Sequence, residues 1–228
     1  MQIEDVRLSG RQYKAYDEPL QLRALPGGVL PTADWLQSLI IRGFGWHFAV
    51  GAFGVGITGG GDGTVIDLDQ PEFGISVPDG WTMIPHDIRV TARPGLQTTD
   101  SHISDILLAV DRAAKWAGDG TVTTETPTNL ITNRGSGCPL SAFSAATADI
   151  TDPTLGLELA MATKLTDIQG TAATVNLMDL VLHYEPRTPP LIVGPAALYG
   201  YWGGSIAVVG FASVNFLAIP TSLFTDLM

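Results

Sequence analysis

Charged side chains are scarce in this chain. They make up 15% of its 228 residues, against ~25% in an ordinary soluble domain. A monomer relies on surface charge to stay apart from its copies. A chain this poor in charge, with a positive mean hydropathy, is expected to cover much of its surface with partner protein or lipid. Positive charge is the scarcer sign: lysine occurs only at Lys14, Lys115 and Lys164, and the net charge is -11. Direct nucleic-acid binding depends on Lys and Arg set against phosphates and is not expected. No basic arm hides behind the total, because Arg7, Arg11, Lys14 and Arg23 are matched by Glu4, Asp5, Asp17 and Glu18. Cys138 stands alone, which excludes an intrachain disulfide and reads as a small buried or half-buried thiol. The opening stretch MQIEDVRLSGRQYK lacks the apolar run of a secretory signal, so no signal peptide is expected.

Catalytic signatures are missing as well. No Gly-Lys-Ser/Thr follows the glycines between Gly51 and Gly63, so they are not a phosphate cradle, and they do not form a dinucleotide fingerprint. No Gly-x-Ser-x-Gly elbow exists for a serine hydrolase. A cupin-like metalloenzyme remains an alternative: Pro78-Asp79-Gly80 matches part of one cupin half-motif, but Met83 stands where a histidine belongs and the His-x-His half is missing. His47, His86, His102 and His183 are far apart in sequence and read as isolated core or interface histidines. Asp62, Asp67, Asp69 and Glu72 place four carboxylates close together, which makes a candidate calcium loop. They lack the spacing of an EF-hand, and a solvated acidic loop is the competing reading. No other cofactor is expected.

What the chain does have is strand pattern. The 45% hydrophobic fraction is ample for a core. Residues 1–30 read as an extended N-terminal arm closed by Pro26-Gly27-Gly28, and 31–228 as one domain. Asp34 to Ile41 fits either a short capped helix or a first strand. Arg42 onward alternates aromatics with glycines, which suits twisted strands, and Thr64 to Asp69 reads as another short strand. Ile84, His86, Ile88, Val90 and Ala92 alternate with Asp87, Arg89, Thr91 and Arg93, the period-2 signature of a half-buried strand. Ile106, Leu108 and Val110 repeat the pattern, and the two runs read as a long antiparallel pair joined by a Gly/Pro-marked connection. The Asp87/Arg89/Arg93 face is the expected solvent side or polar subunit contact.

Gly118 to Ser136 reads as a surface loop or small outer ribbon, followed by a strand candidate at Ala142 to Ile150 and by Leu155 to Leu165, whose LGLELAMATKL alternates like a strand while its Leu, Ala, Met and Lys also favour a helix. Val175 to Tyr184 (VNLMDLVLHY) looks like a central strand covered on both faces. Ile206 to Ile219 is a final long strand inside a stretch that carries no charge between Arg187 and Asp226. Leu39 to Thr58 and Leu191 to Ile219 are long enough to span a bilayer, but glycines, Arg42, His47, Pro195 and Asn215 interrupt them. Roughly eight principal strands with Gly/Pro turns predict an all-β, antiparallel, eight-stranded sandwich with at most short helices.

Three stretches carry a likeness to a known class: VPDGWTMIPHDIRVTA leading to DILLAVDRAAKW, then LVLHYEPRTPPLIVGPAALYGYW, then GFASVNFLAIP. In texture and strand order they resemble the single jelly-roll capsid and virion structural proteins of tailless, in some cases membrane-containing, phages and viruses. The resemblance implies a self-assembling capsid subunit without catalytic activity, located in the virion. It would build trimers, pentamers or pseudo-hexamers with itself and with other virion proteins. Many such proteins carry an Arg-rich genome-binding arm, and its lack here implies an underlying lipid membrane or other inner layer, or a spike or minor role. A carbohydrate- or receptor-binding sandwich is the alternative, with Trp81 and Trp116 as the residues to test.

Overall fold

The computed structural model describes residues 35–52, 55–59, 66–94, 102–113, 122–135, 137–145, 153–166, 179–205 and 208–225. The first elements are helix α1 (Trp35–Ile41) and strands β1 (Gly45–Val50), β2 (Ile57–Thr58), β3 (Phe73–Val77), β4 (Trp81–Pro94) and β5 (His102–Asp111). Strands β6 (Thr123–Glu125), β7 (Thr128–Asn129), β8 (Ser141–Ser144), β9 (Leu155–Thr166) and β10 (Leu180–Tyr184) come next. Strands β11 (Ile192–Val193), β12 (Ala196–Gly204) and β13 (Val208–Pro220) and helix α2 (Ser222–Thr225) complete the order. They form two antiparallel sheets. One runs β10–β4–β13–β1–β7, with β11 beside β4 and β2 beside β13; the other runs β6–β8–β3–β12–β5–β9.

Eight of these strands carry the topology. β1 pairs with β13, β3 with β12, β4 with β10 and β5 with β9. The pairs are nested, first with last and so inward, as in one long antiparallel ribbon. The ribbon is rolled until β13 meets β4 and β12 meets β5. That is a single jelly roll, an eight-stranded antiparallel sandwich with additional short strands at its rims. The arm expected at residues 1–30 lies outside the described residues.

The alternation seen in the sequence is the alternation of faces. Ile88, Val90 and Ala92 of β4, Ile106, Leu108 and Val110 of β5, and Val208, Ala212, Val214 and Phe216 of β13 meet between the sheets in one buried cluster with Leu198 and Trp202 of β12. Each of the Val, Ile, Leu and Phe side chains among them contributes about 1.5–3 kcal/mol on burial. A second cluster covers the outer face of the β12 sheet, where Leu107, Ala109, Phe143, Ala197, Tyr199 and Tyr201 are packed under Ile66, Val122 and Leu155.

Several expectations are corrected. The runs at Ile84–Arg93 and Ile106–Asp111 are not an antiparallel pair: β4 and β5 belong to different sheets and face one another across the core. Alternation shows which face of a strand is buried, and it is silent about which edge is bonded. Asp67 to Asp69 form a turn and not part of a strand; the strand lies further on, at β3. The run ending at Tyr184 contributes β10, which pairs only with β4 among the described residues and leaves Val181 exposed. The strand covered on both faces is β12, AALYGYWGG, all nine of whose residues are buried. The described parts of Leu39 to Thr58 hold the end of α1 with β1 and β2, those of Leu191 to Ile219 hold β11, β12 and β13, and no helix among the described residues is long and apolar enough to cross a membrane.

A bulge sets which residues of β4 enter the core. Asn215 faces Asp87 while Phe216 faces Pro85, so His86 is an extra residue in β4. The insertion flips the phase of everything before it. Met83 joins the main core, whereas Ile84, expected there beside Ile88, turns to the outer face. With Leu217 and Ile219 it is covered by Leu36, Leu39 and Ile40 of α1 and by Phe44. Over Trp35–Ile41 the helical option is therefore the one realised, because those three side chains share one helical face; Asp34, the expected cap, lies outside the described residues.

Glycines make the central strand possible. A Cβ on Gly200 would fall inside the ring of Phe73, and one on Gly74 would collide with Phe143 and Tyr199. These glycines are slots for neighbouring rings. Gly200→Ala is accordingly expected to overpack the sheet and destabilise by about 1–3 kcal/mol, lowering the melting temperature by about 2–4 °C per kcal/mol. Gly137→Ala, where a Cβ meets open space, should leave the melting curve almost unmoved; equal effects from the two substitutions would refute the slot argument.

Candidate functional site

A row of polar side chains crosses the outer face of the β4 sheet, where β1, β13, β4 and β10 lie side by side. His47 pairs with Asn215, and Asn215 with Asp87, in register. Asn215 Nδ2 donates to Asp87 Oδ2 at 3.0 Å, which leaves Asn215 Oδ1 to accept from His47 Nδ1 at 2.9 Å. His183 Nε2, one strand over on β10, donates to Asp87 Oδ1 at 3.0 Å. Arg89 Nε stands 3.7 Å from the same oxygen, and Glu185 lies 3.7 Å from His183. Further along, Arg93 makes a two-point contact with Asp179 at 3.1 and 3.2 Å and lies over the Phe211 ring.

Asp87 is the hub. Burial would push its carboxyl up, but the hydrogen bonds from Asn215 and His183 and the charges of Arg89 and His183 outweigh that and hold it below its ordinary value. Directly before it, His86 at the bulge has a buried Nε2 without a hydrogen-bond partner. Burial lowers the pKa of that ring against the opposing pull of Asp87 and Glu185. An Asp–His pair inside a water-excluding cleft would be acid–base machinery. Here Asp87 and His183 are part-exposed, with side chains 29% and 39% accessible.

The carboxylates of the candidate calcium loop do not meet in this way. Asp62 lies outside the described residues. Asp67 Oδ1 accepts from the Asp69 amide at 3.0 Å, closing its own turn. Glu72 is buried, and its Oε2 accepts the Trp202 amide of β12 at 2.9 Å. Its backbone amide reaches Gly200 O at 3.0 Å, so Glu72 extends the β3–β12 ladder past the end of β3. Among the described residues no group of three His, Cys, Asp or Glu is placed to hold a metal ion. Asp111, which the sequence did not single out, is fully buried. Its Oδ1 accepts the amides of Ala113 and Thr154, and its Oδ2 accepts the Tyr199 hydroxyl. Tyr201 donates to Leu68 O at 3.0 Å; burial, with Glu72, Asp111, Asp69 and Asp67 adding to it, pushes its hydroxyl pKa well up.

Other residues singled out from the sequence are dispersed. His102 is buried on β5 between Ser104 and Ser205, and burial lowers its pKa against the pull of Asp105. Cys138 is half-buried, and burial raises its thiol to about 11. Trp81 packs against the main core, and Trp116 lies outside the described residues. Of the four histidines, only His47 and His183 converge on one network. Asn215 was missed, although an Asn alternating with apolar residues in GFASVNFLAI marks an outward-facing position. Comparison with protein-family models, curated proteins and solved structures finds no match.

Two predictions follow from these contacts. Asp87→Asn should cost about 1 kcal/mol at neutral pH, because two donors lose a charged acceptor on a part-exposed face. Since the folded carboxyl titrates below 3.8, the contribution is present above that value and is lost as pH falls through the folded one. Urea unfolding should show the gap between wild type and variant at about pH 5 and its loss as pH falls well below 3.8; a gap that stays the same through the whole acid range would discount Asp87's charge. Glu72→Ala should cost about 1–3 kcal/mol by leaving the Trp202 amide buried without its acceptor, and Glu72→Gln, which keeps an oxygen there, should cost less.

Proposed function

We propose that the protein is a structural virion protein, a jelly-roll capsid subunit that assembles with copies of itself and has no catalytic role. The complete nested pairing of β1 with β13, β3 with β12, β4 with β10 and β5 with β9 carries this reading. It supports the likeness noted in the three sequence stretches. The low charge supports it from a second side, because large obligate interfaces resemble a core cut in half. Exposed apolar side chains supply material for such interfaces. Leu157, Leu191 and Val193 line one depression at the end of the sandwich, and Met161 and Leu165 stand out from β9.

On this reading the Asp87 row is a polar subunit contact. Polar rows of this kind fix the orientation of an interface more than its affinity. The net charge of -11 argues against lining a genome directly, so the subunit belongs to a shell over a lipid or protein layer, or to a spike.

The test is the state of the purified protein. Size exclusion with light scattering should give a large, stable homo-oligomer, and negative-stain images should show trimers, pentamers, pseudo-hexamers or closed shells. A monodisperse monomer at micromolar concentration would overturn the proposal.

A further inference from the structure

The two sheets have four terminal strands: β10 and β7 in one, β6 and β9 in the other. Three are short, with five, two and three residues, and β9 has twelve. Short strands, prolines, charges and bulges are the devices by which a sheet edge avoids pairing with another chain. In β9 the bulges are confined to the first half, where its register against β5 shifts at Leu108/Ala109 and Val110/Asp111. From Ala160 to Thr166 the ladder is regular, and no proline interrupts it. Its one lysine, Lys164, is half-buried and lies on the face of Ala160 and Ala162. Among the described residues no strand pairs with the other edge of β9.

The side chains on the outer face of this stretch are apolar where an edge is normally guarded. Met161 is 68% exposed and Leu165 64%, and Ile103, opposite Leu165 on β5, is 41% exposed. Met161, Thr163 and Leu165 follow one another at period 2 on that face. Backbone donors and acceptors along an open edge bond water until another strand is added, and their regular row is a template for that strand.

The geometry points to the β9 strand of a second copy of this chain as the occupant, paired antiparallel about a two-fold axis near Thr163. In that register Met161 of each copy lies opposite Leu165 of the other, and Thr163 opposite Thr163. The segment is self-complementary, as a two-fold interface requires, and no like charges are brought face to face. The β12 sheet then continues across the interface. The inference rests on the self-assembly reading above and names the surface through which two copies meet.

Light scattering of the Met161→Lys/Leu165→Lys double variant tests it. Both side chains are more than half exposed, so the variant should keep the wild-type circular dichroism spectrum and melting temperature. It should lose the copy–copy contact at concentrations where wild type is assembled. Met161→Leu/Leu165→Met should assemble as wild type does. Hydrogen exchange on wild type gives a reading that needs no variant: amides in 160–165 should gain protection on going from dilute to assembled protein. If wild type assembles but the lysine variant assembles equally, or the 160–165 amides exchange unchanged, the β9 pairing is wrong while self-assembly stands. A wild type that stays monomeric overturns both.

Discussion

The ladder between β4 and β13 is the constraint on which the rest of the structure depends. It joins an early strand to the last one and runs from Pro94 opposite Val208 to Trp81 opposite Pro220. Both sides of the β4 sheet are built outward from it, with β10 on β4 and β1 on β13. Its single irregularity, at His86, decides which side chains enter the core. With β4 running straight through His86, either Met83 would turn out and Ile84 in, so that α1 lost part of the surface it covers, or Asp87 would no longer stand opposite Asn215. Core packing, helix docking and the polar row thus share one register.

Much of this was legible in the sequence because burial has a period. The long strands β4 and β5 announced themselves by alternation and β13 by its apolar run between Gly203-Gly204 and Pro220, and the sandwich class followed from the number of strands and turns. β9 alternates too, but its Leu, Ala, Met and Lys left a helix open until its pairing with β5 decided for a strand. What alternation cannot carry is pairing. Ile84–Arg93 and Ile106–Asp111 are neighbours in sequence with matching patterns, yet each finds its bonded partners elsewhere. The central strand was hidden for a related reason. AALYGYWGG is apolar on both faces and rich in glycine, so it shows no alternation and looks like a break. Its glycines make sense only beside Phe73, whose ring fills the space at Gly200, and that neighbour is far away in the chain.

The candidate site was half legible. Asp87, Arg89 and Arg93 stood out as a charged face in a charge-poor chain, and the structure keeps them on one face. The histidines look separate in sequence, because the distance from His47 to His183 conceals that their strands lie in the same sheet with only β4 and β13 between them. Glu72 was grouped with Asp67 and Asp69 by proximity in the chain. Its burial and its bond to the Trp202 amide are properties of the β3–β12 ladder, which local spacing does not encode.

The same buried carboxylates sharpen the argument from composition. Glu72 and Asp111 are both interior, each hydrogen-bonded to backbone amides, so neither keeps copies of the chain apart. The surface is therefore poorer in repelling charge than the overall 15% indicates. Part of what charge does reach the surface is neutralised locally, as in Arg93 with Asp179 and Arg89 with Asp87. Those pairs lie on the β4 sheet, whereas the long edge of β9, unpaired among the described residues and carrying exposed Met161 and Leu165, lies on the other. An apolar edge and a polar row on separate sheets are suited to different contacts, the edge to adding strands and the row to setting orientation. For the assembling subunit proposed above, the two would supply contacts of different kinds.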